Sequence, residues 1–136
     1  MKFGIGQPVT RKEDPKFLKG QGNYVSDISL DKMLHGFVLR SPHANARILS
    51  IDTTSAREAS GVVLVLTGDD YEASGLGLIE CSSMVAMLMG GSKGVQKPYG
   101  ALVKDVVKCV GVPVAFVIAE SIENAKDAAE LIEIDY

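Results

Sequence analysis

Two histidines are the first residues of this sequence that could carry acid–base or metal chemistry. His35 lies in the apolar run Met33–Leu39, and His43 directly follows Ser41-Pro42. A catalytic histidine must be held within hydrogen-bond reach of a nucleophile or a carboxylate. His35 lies in an apolar strand, where a hydrogen-bonded core histidine is more common than a ligand, and His43 follows Ser41-Pro42 in a turn. We therefore predict that His35 is a hydrogen-bonded core residue and that His43 belongs to a structural turn.

The two cysteines could supply thiol chemistry or metal ligands. Cys81 and Cys109 are too few and too far apart to form a disulfide framework or a zinc site. A reactive thiolate needs an electropositive, partly exposed site, and Lys108 does place a cation next to Cys109. Free cysteine nevertheless behaves as a small hydrophobic residue in most folded proteins. Cys109 is predicted to be a buried structural thiol, and Cys81, beside Glu80, is still less suited to be a thiolate.

Glycine-rich turns raise the question of a phosphate site. Gly4-x-Gly6 has no preceding strand and no third glycine, so it does not match a dinucleotide-binding loop. The run from Gly90 to Gly94, GGSKG, lacks the spacing of a nucleotide-binding P-loop. Its backbone N–H groups could still cradle an anion, and that alternative stays open.

Carboxylates and methionines complete the list of candidates. Asp69 and Asp70 precede Tyr71, and we expect one of them to cap a helical turn instead of acting as a base. Three methionines form a soft apolar cluster that could pack on a partner subunit, be buried in this domain or be disordered: Met84, Met87 and Met89. The sequence thus assigns no catalytic, no cofactor-binding and no metal-binding residue.

Composition narrows the class of protein. A chain of 136 residues with 46% hydrophobic and 23% charged residues is typical of one globular domain. The net charge of −3, with scattered basic residues, argues against a nucleic-acid partner. No run approaches the roughly 20 apolar residues of a membrane helix, and the start of the sequence lacks a signal-peptide pattern. We therefore predict a cytoplasmic protein with reduced thiols and no membrane insertion.

The elements that must position these residues follow from hydrophobic periodicity. Met33–Leu39 is apolar at alternate positions on both faces, which predicts a buried strand that breaks at Ser41-Pro42-His43. A second strand is predicted over Ala46–Ile51. A short helix over Thr54–Ala59, capped by Asp52 or the following threonine, then leads into a third strand at Val62–Leu66.

The second half of the sequence repeats this order. Val112–Ala119 predicts a strand, Ser121 a helix N-cap, and Ile132–Tyr136 a returning strand. The helix between them has a narrow apolar face that consists of Ile122, Ala125, Ala128, Ala129 and Ile132. Two strand-helix-strand units indicate an α/β or α+β fold with a mixed sheet. The first connection is short for a parallel crossover, which leaves the strand direction open.

Two segments lie outside this pattern. Near the N-terminus, Asp14-Pro15 predicts a helical turn that ends at Gly20, followed by a short strand from Tyr24-Val25. Glu72–Pro98 is rich in glycine and methionine, so we interpret it as a long connection, with one amphipathic helix over Ile79–Met89 as the alternative.

Three ordered stretches carry a family resemblance: RKEDPKFLKGQGNYVSD at Arg11–Asp27, MLHGFVLRSPHANARILSID at Met33–Asp52, and GVPVAFVIAESIENAKDAAELIEIDY at Gly111–Tyr136. Together they resemble the start of the molybdopterin-binding large subunit in the xanthine dehydrogenase and aldehyde oxidase family. The nearest branch is the molybdenum-type carbon monoxide dehydrogenase large chain. One departure is Val112, where the family usually has a glutamate.

The resemblance implies an α+β fold, the α/β hammerhead, as a single domain over residues 1–136 with a loop at about residues 72–98. The downstream molybdopterin-binding domains of the family are absent from this sequence. The parent would be an oxidoreductase that oxidises a small substrate with oxygen derived from water. It would use molybdenum-molybdopterin in the large subunit and iron-sulfur clusters and FAD on partner subunits or domains. Carbon monoxide, an aldehyde, a purine and another heterocycle all remain open as substrates.

In this interpretation the chain itself holds no cofactor and contributes scaffold. Its implied partners are the downstream molybdopterin-binding domains, the iron-sulfur and flavin subunits, and a second copy of the isolated domain. The alternative is a stand-alone interaction module without catalysis. The two differ in surface, because a domain that belongs to a larger subunit should leave an apolar patch uncovered.

Overall fold

The computed structural model describes residue 6 and residues 11–79 and 98–136. The chain divides into two compact units, Met1–Asp31 and Lys32–Tyr136. In the first unit, helix α1 spans Asp14–Leu18, with proline in its first turn, and Gly20 follows it at φ 68°. The predicted helical turn and its glycine stop are therefore confirmed.

The strand predicted at Tyr24-Val25 is wrong, since Val25–Asp27 forms a 3₁₀ helix. The Tyr24 backbone N–H donates to the Asp27 carboxylate at 2.9 Å. This side-chain acceptor closes a local turn and competes with pairing in a sheet.

In its described residues, the second unit contains strands β1 to β7 and helices α2 to α4. Their bounds in chain order are β1 His35–Arg40, β2 Ala46–Arg47, β3 Ser50–Asp52, α2 Thr54–Glu58, β4 Val62–Thr67, α3 Gly68–Ala73, β5 Val106–Val107, β6 Pro113–Ala119, α4 Ile122–Glu130 and β7 Glu133–Asp135. The main sheet has three strands in the order β1-β6-β4, and two further pairs join β2 to β5 and β3 to β7.

The two predicted strand-helix-strand units are present, as β3-α2-β4 and β6-α4-β7, and the α+β class is confirmed. The strands of one strand-helix-strand unit pair with those of the other. β4 pairs with β6 and β3 pairs with β7, and both pairings are antiparallel. All strand pairings among the described residues have this direction, so the prediction of a mixed sheet is wrong for this part of the chain. A connection as short as α2 is too short for a crossover between parallel neighbours. The strands of each strand-helix-strand unit therefore pair with strands of the other strand-helix-strand unit.

The single strand predicted over Ala46–Ile51 is two strands in the structure. β2 pairs with β5 and β3 pairs with β7, with Ile48 and Leu49 between them. The Ile48 N–H donates to the Asp105 carbonyl at 2.8 Å, and the Leu49 N–H donates to the Asp135 carbonyl at 2.8 Å. Adjacent backbone groups thus bond to different partners, which divides the strand.

Helix α4 covers one side of the three-stranded sheet. Its Ala125, Ala128 and Ala129 are buried against the strand residues that face them, which include Ala115, Val117, Ala119 and Val65. The predicted N-cap is confirmed, because the Asn124 N–H donates to the Ser121 hydroxyl oxygen at 3.1 Å. Small side chains on both surfaces let the helix approach the sheet closely.

Candidate functional site

The segment Arg40–His43, called the corner below, links the end of β1 to the turn that precedes β6. Ser41 is only 1% exposed. Its N–H donates to the Val112 carbonyl at 2.9 Å, and its own carbonyl accepts from the Gly111 N–H at 2.9 Å. The Arg40 guanidinium donates to the Gly111 carbonyl at 2.7 Å. These contacts hold backbone in place and leave Ser41 no access to a substrate.

His43 is exposed and contacts an aromatic ring. The imidazole lies edge-on to the Tyr136 ring, with 4.5 Å between the ring centroids. Its backbone N–H donates to the Ser41 hydroxyl oxygen at 3.2 Å. The Tyr136 hydroxyl is buried and has no hydrogen-bond partner among the described residues. The arrangement is that of a packed structural corner, with no carboxylate or nucleophile bonded to the His43 side chain in the described part of the chain.

The remaining candidate residues are placed differently from the prediction or lie outside the described residues. The prediction that Cys109 is buried is wrong, because its thiol is free and exposed. β5 ends at Val107, which takes the buried position, and the chain then leaves the sheet in a turn. His35 is only partly buried, at the start of β1. The residues outside the described ranges are Cys81, the Gly90–Gly94 turn and the methionines Met84, Met87 and Met89.

The Val112 departure fits the structure. Val112 is partly buried and packs against the small cluster of Ile48, Val107 and Val114. The side chain therefore adds apolar contact to this cluster.

The carboxylates of α3 bond to the start of the helix and to a neighbouring lysine. Asp70 accepts from the Thr67 N–H at 2.8 Å, which confirms a capping role, and this bond lowers the pKa of Asp70. Lys104 lies 2.7 Å from the Glu72 carboxylate and 2.9 Å from that of Asp69, and these contacts raise the pKa of Lys104. All of these groups are at the surface, where they join α3 to the segment before β5.

Within residues 11–79 and 98–136, no group of three or more histidine, cysteine, aspartate or glutamate side chains could hold a metal ion. No described helix is long and apolar enough to cross a membrane. The described residues do form an apolar surface on the three-stranded sheet.

That surface, called the open face below, is the side of the three-stranded sheet opposite α4. The strand register places five apolar side chains together there: Val38, Leu64, Leu66, Phe116 and Ile118. Leu64 is 41% exposed and the other four are partly exposed. None of the five packs against the buried core clusters of the described residues. In an antiparallel sheet with one solvated side, apolar and polar residues normally alternate along each strand, so that the solvated side is polar. The open face is apolar instead.

Gly36 belongs to the same face. A Cβ built on it would lie 2.6 Å and 2.8 Å from ring atoms of Phe116, so the phenyl ring covers the glycine. Gly36 nevertheless remains exposed, so the ring covers the strand only in part.

The fold and its surface define a structural domain with an apolar sheet face. Comparison with known proteins identifies the family of this domain. Residues 19–136 match the family described as aldehyde oxidase and xanthine dehydrogenase, a/b hammerhead domain. The chain belongs to this family, and the resemblance carried by its motifs is confirmed.

Similar proteins are much longer than this chain. It is 41% identical over 132 residues to the nicotine 6-hydroxylase large subunit of Paenarthrobacter nicotinovorans, covering 96% of this chain and 15% of that protein. It is 40% identical over 133 residues to the carbon monoxide dehydrogenase large chain of Afipia carboxidovorans, covering 98% of this chain and 15% of that one. The chain thus spans about 15% of the length of these relatives.

Solved structures agree. Quinoline 2-oxidoreductase from Pseudomonas putida 86 superposes with a TM-score of 0.81 at 39% identity, over 100% of this chain and 16% of that chain. A Cu,Mo-containing CO dehydrogenase superposes with a TM-score of 0.76 at 38% identity, over 98% of this chain and 15% of that chain. The hammerhead fold is therefore shown both by sequence and by structure.

Proposed function

We propose that this chain is the non-catalytic hammerhead domain of the large subunit of a molybdenum hydroxylase. The observation that carries the proposal is the coverage: nearly the whole chain matches 15% of the nicotine 6-hydroxylase large subunit and 15% of the carbon monoxide dehydrogenase large chain. The domain would support oxidation of a small substrate with oxygen derived from water, and the residues that perform this chemistry would lie elsewhere in the subunit.

No cofactor-binding role is proposed for the described residues. They hold no cluster of potential metal ligands, and the carboxylates around α3 are bonded to backbone or to Lys104. Molybdenum-molybdopterin belongs to the remainder of the large subunit, and iron-sulfur clusters and FAD to partner subunits or domains.

The substrate stays open within this proposal. The relatives named for nicotine and for carbon monoxide are 41% and 40% identical to this chain, so similarity in the domain does not separate their substrates. This agrees with a scaffold, because a domain that does not touch substrate has no reason to vary with it.

A cytoplasmic location fits the exposed free thiol of Cys109, since exposed thiols persist in reducing compartments. The large subunit's domains and the iron-sulfur and flavin subunits are the partners that we propose in that compartment. That residues 1–136 form one domain also stays a prediction.

The competing function is a stand-alone interaction module. The open face favours the subunit interpretation, because large apolar side chains on one side of a sheet are typical of a permanent interface. A free-standing module would bind its partners reversibly and would not depend on that face being covered.

The test is the mass and metal content of the native protein purified from its source. We expect this sequence to be recovered in a complex whose mass is several times 14.5 kDa and which contains molybdenum. Recovery as a free chain of 14.5 kDa, with no molybdenum enzyme bound to it, would contradict the proposal.

A further inference from the structure

We propose that the open face is the surface through which this domain docks on the rest of its large subunit. The inference rests on the proposed function and adds to it the location of the contact. It starts from the register of β1, β6 and β4, which brings Val38, Leu64, Leu66, Phe116 and Ile118 to one side of the sheet.

The apolar character of the open face is typical of a permanent interface. None of its five side chains is charged or polar, and interfaces that remain assembled are more apolar than transient ones. At the outer edge of β4, a groove of about 150 Å³ is lined by Arg57 and by residues 62 to 65. Arg57 also reaches Asp70 at 3.4 Å. The groove thus places one charged side chain beside Leu64 of the open face.

The size of the face argues against a second copy of this chain. Three strands of six to seven residues, spaced about 4.8 Å apart, present roughly 300 Å². A stable interface between separate chains buries roughly 800 Å² on each partner. A face this small is sufficient within one subunit, because covalent connection or a larger shared interface raises the effective concentration.

The occupant follows from the comparisons. In relatives of about 40% identity this domain is only 15% of the large subunit, so most of that subunit is available to cover the face. The rest of the large subunit is therefore the partner that we infer, because a contact within one subunit can be both permanent and small.

The experiment compares Leu64→Lys with Leu131→Lys in the native enzyme. Leu64 lies on the open face and is 41% exposed, whereas Leu131 ends α4 on the other side of the sheet and is 46% exposed. The two changes are therefore matched in chemistry and exposure. Each variant is also made in the isolated chain, where its thermal unfolding shows whether the domain still folds.

We expect both isolated variants to unfold like the unchanged chain. In the enzyme, Leu64→Lys should lower the yield of assembled, molybdenum-containing protein by about tenfold or more, because an unpaired ammonium group would be buried. Leu131→Lys should leave the yield unchanged. Full assembly of a correctly folded Leu64→Lys variant would overturn the docking surface while leaving the proposed function intact.

Other outcomes are equally decisive. A wild-type protein that never associates with a molybdenum enzyme would overturn the proposed function itself, and the docking surface with it. An isolated chain that dimerises through Leu64, and loses the dimer in Leu64→Lys, would assign the face to a second copy. Equal losses of assembly for both variants would mean that the face has no special role.

Discussion

The two sides of the three-stranded sheet differ in what covers them, although both are apolar. Strand β6 contributes to both, with Ala115, Val117 and Ala119 towards α4 and Phe116 and Ile118 towards the open face. On β6, the residues that face α4 are small and fully buried, while those on the open face are large and partly exposed.

This difference shows which contacts belong to the domain itself. The α4 side is completed within the chain, since alanines on the helix meet small residues on the strand at close range. The open face carries large side chains but lacks a comparable packed core in the described residues. A side of a sheet that faces water is normally polar, so the apolar open face supports the proposal that a partner covers it.

The largest effect is expected on the packed side, for Ala128→Leu. Ala128 is fully buried between α4 and the sheet, so the added atoms would force the helix away from it. We expect the free energy of unfolding to fall by about 2 to 3 kcal/mol, measured by urea denaturation. Lys126→Leu, exposed on the same helix, is the control and should stay within about 0.5 kcal/mol of the unchanged chain. Similar values for the two variants would mean that α4 does not pack closely.

The next largest effect on stability is expected at the N-cap of α4. Ser121→Ala removes the hydroxyl oxygen that accepts from the Asn124 N–H, and should cost about 1 kcal/mol in thermal or urea unfolding. Ser121→Asp restores an acceptor at the N-cap and should recover most of the loss. Failure of aspartate to recover it would show that the serine acts through something other than the cap.

A small effect is expected on the open face for Gly36→Ala. The new Cβ would meet the Phe116 ring, which on this side is free to swing outward in the isolated chain. The cost should be roughly 0.5 kcal/mol, since the ring movement is partly offset by the lower entropy of the unfolded chain. A cost equal to that of Ala128→Leu would show that both sides of the sheet are packed alike, and would break the comparison.

The smallest effect is a pH dependence at the end of β4. The hydrogen bond from the Thr67 N–H lowers the pKa of Asp70 in the folded protein below its ordinary value of 3.8. Its stabilising contribution is therefore present above about pH 4 and is lost as the pH falls through the lower folded pKa. The carboxylate is partly exposed, so the contribution should be roughly half a kcal/mol or less. The difference in stability between the unchanged chain and Asp70→Asn should shrink between pH 5 and pH 3; a constant difference would contradict this origin.

Local patterns predicted most of the elements. The strands at Val62–Thr67 and Pro113–Ala119, the serine cap and the alanine face of α4 all follow from neighbouring residues, and the structure confirms them. The motifs also identified the family. These features depend on residues within a few positions of each other, which a single sequence displays directly.

Features set by distant partners were not predicted. The division of Ala46–Ile51 depends on Asp105 and Asp135, which bond to adjacent residues from two different parts of the chain. The exposure of Cys109 depends on where β5 ends. The open face was expected only as an unlocated apolar patch, because its residues share a side only once β1, β4 and β6 are in register.

The most direct test of the account is hydroxyl-radical footprinting of Phe116 and Leu64, in the isolated chain and in the native enzyme. We expect both side chains to be oxidised readily in the isolated monomer and to be strongly protected in the enzyme, while buried Val117 reacts slowly in both. Equal oxidation of Phe116 and Leu64 in the two samples would contradict the claim that the open face is covered by the rest of the subunit. Full protection in the isolated monomer would contradict it as well, since the chain would then cover the face itself.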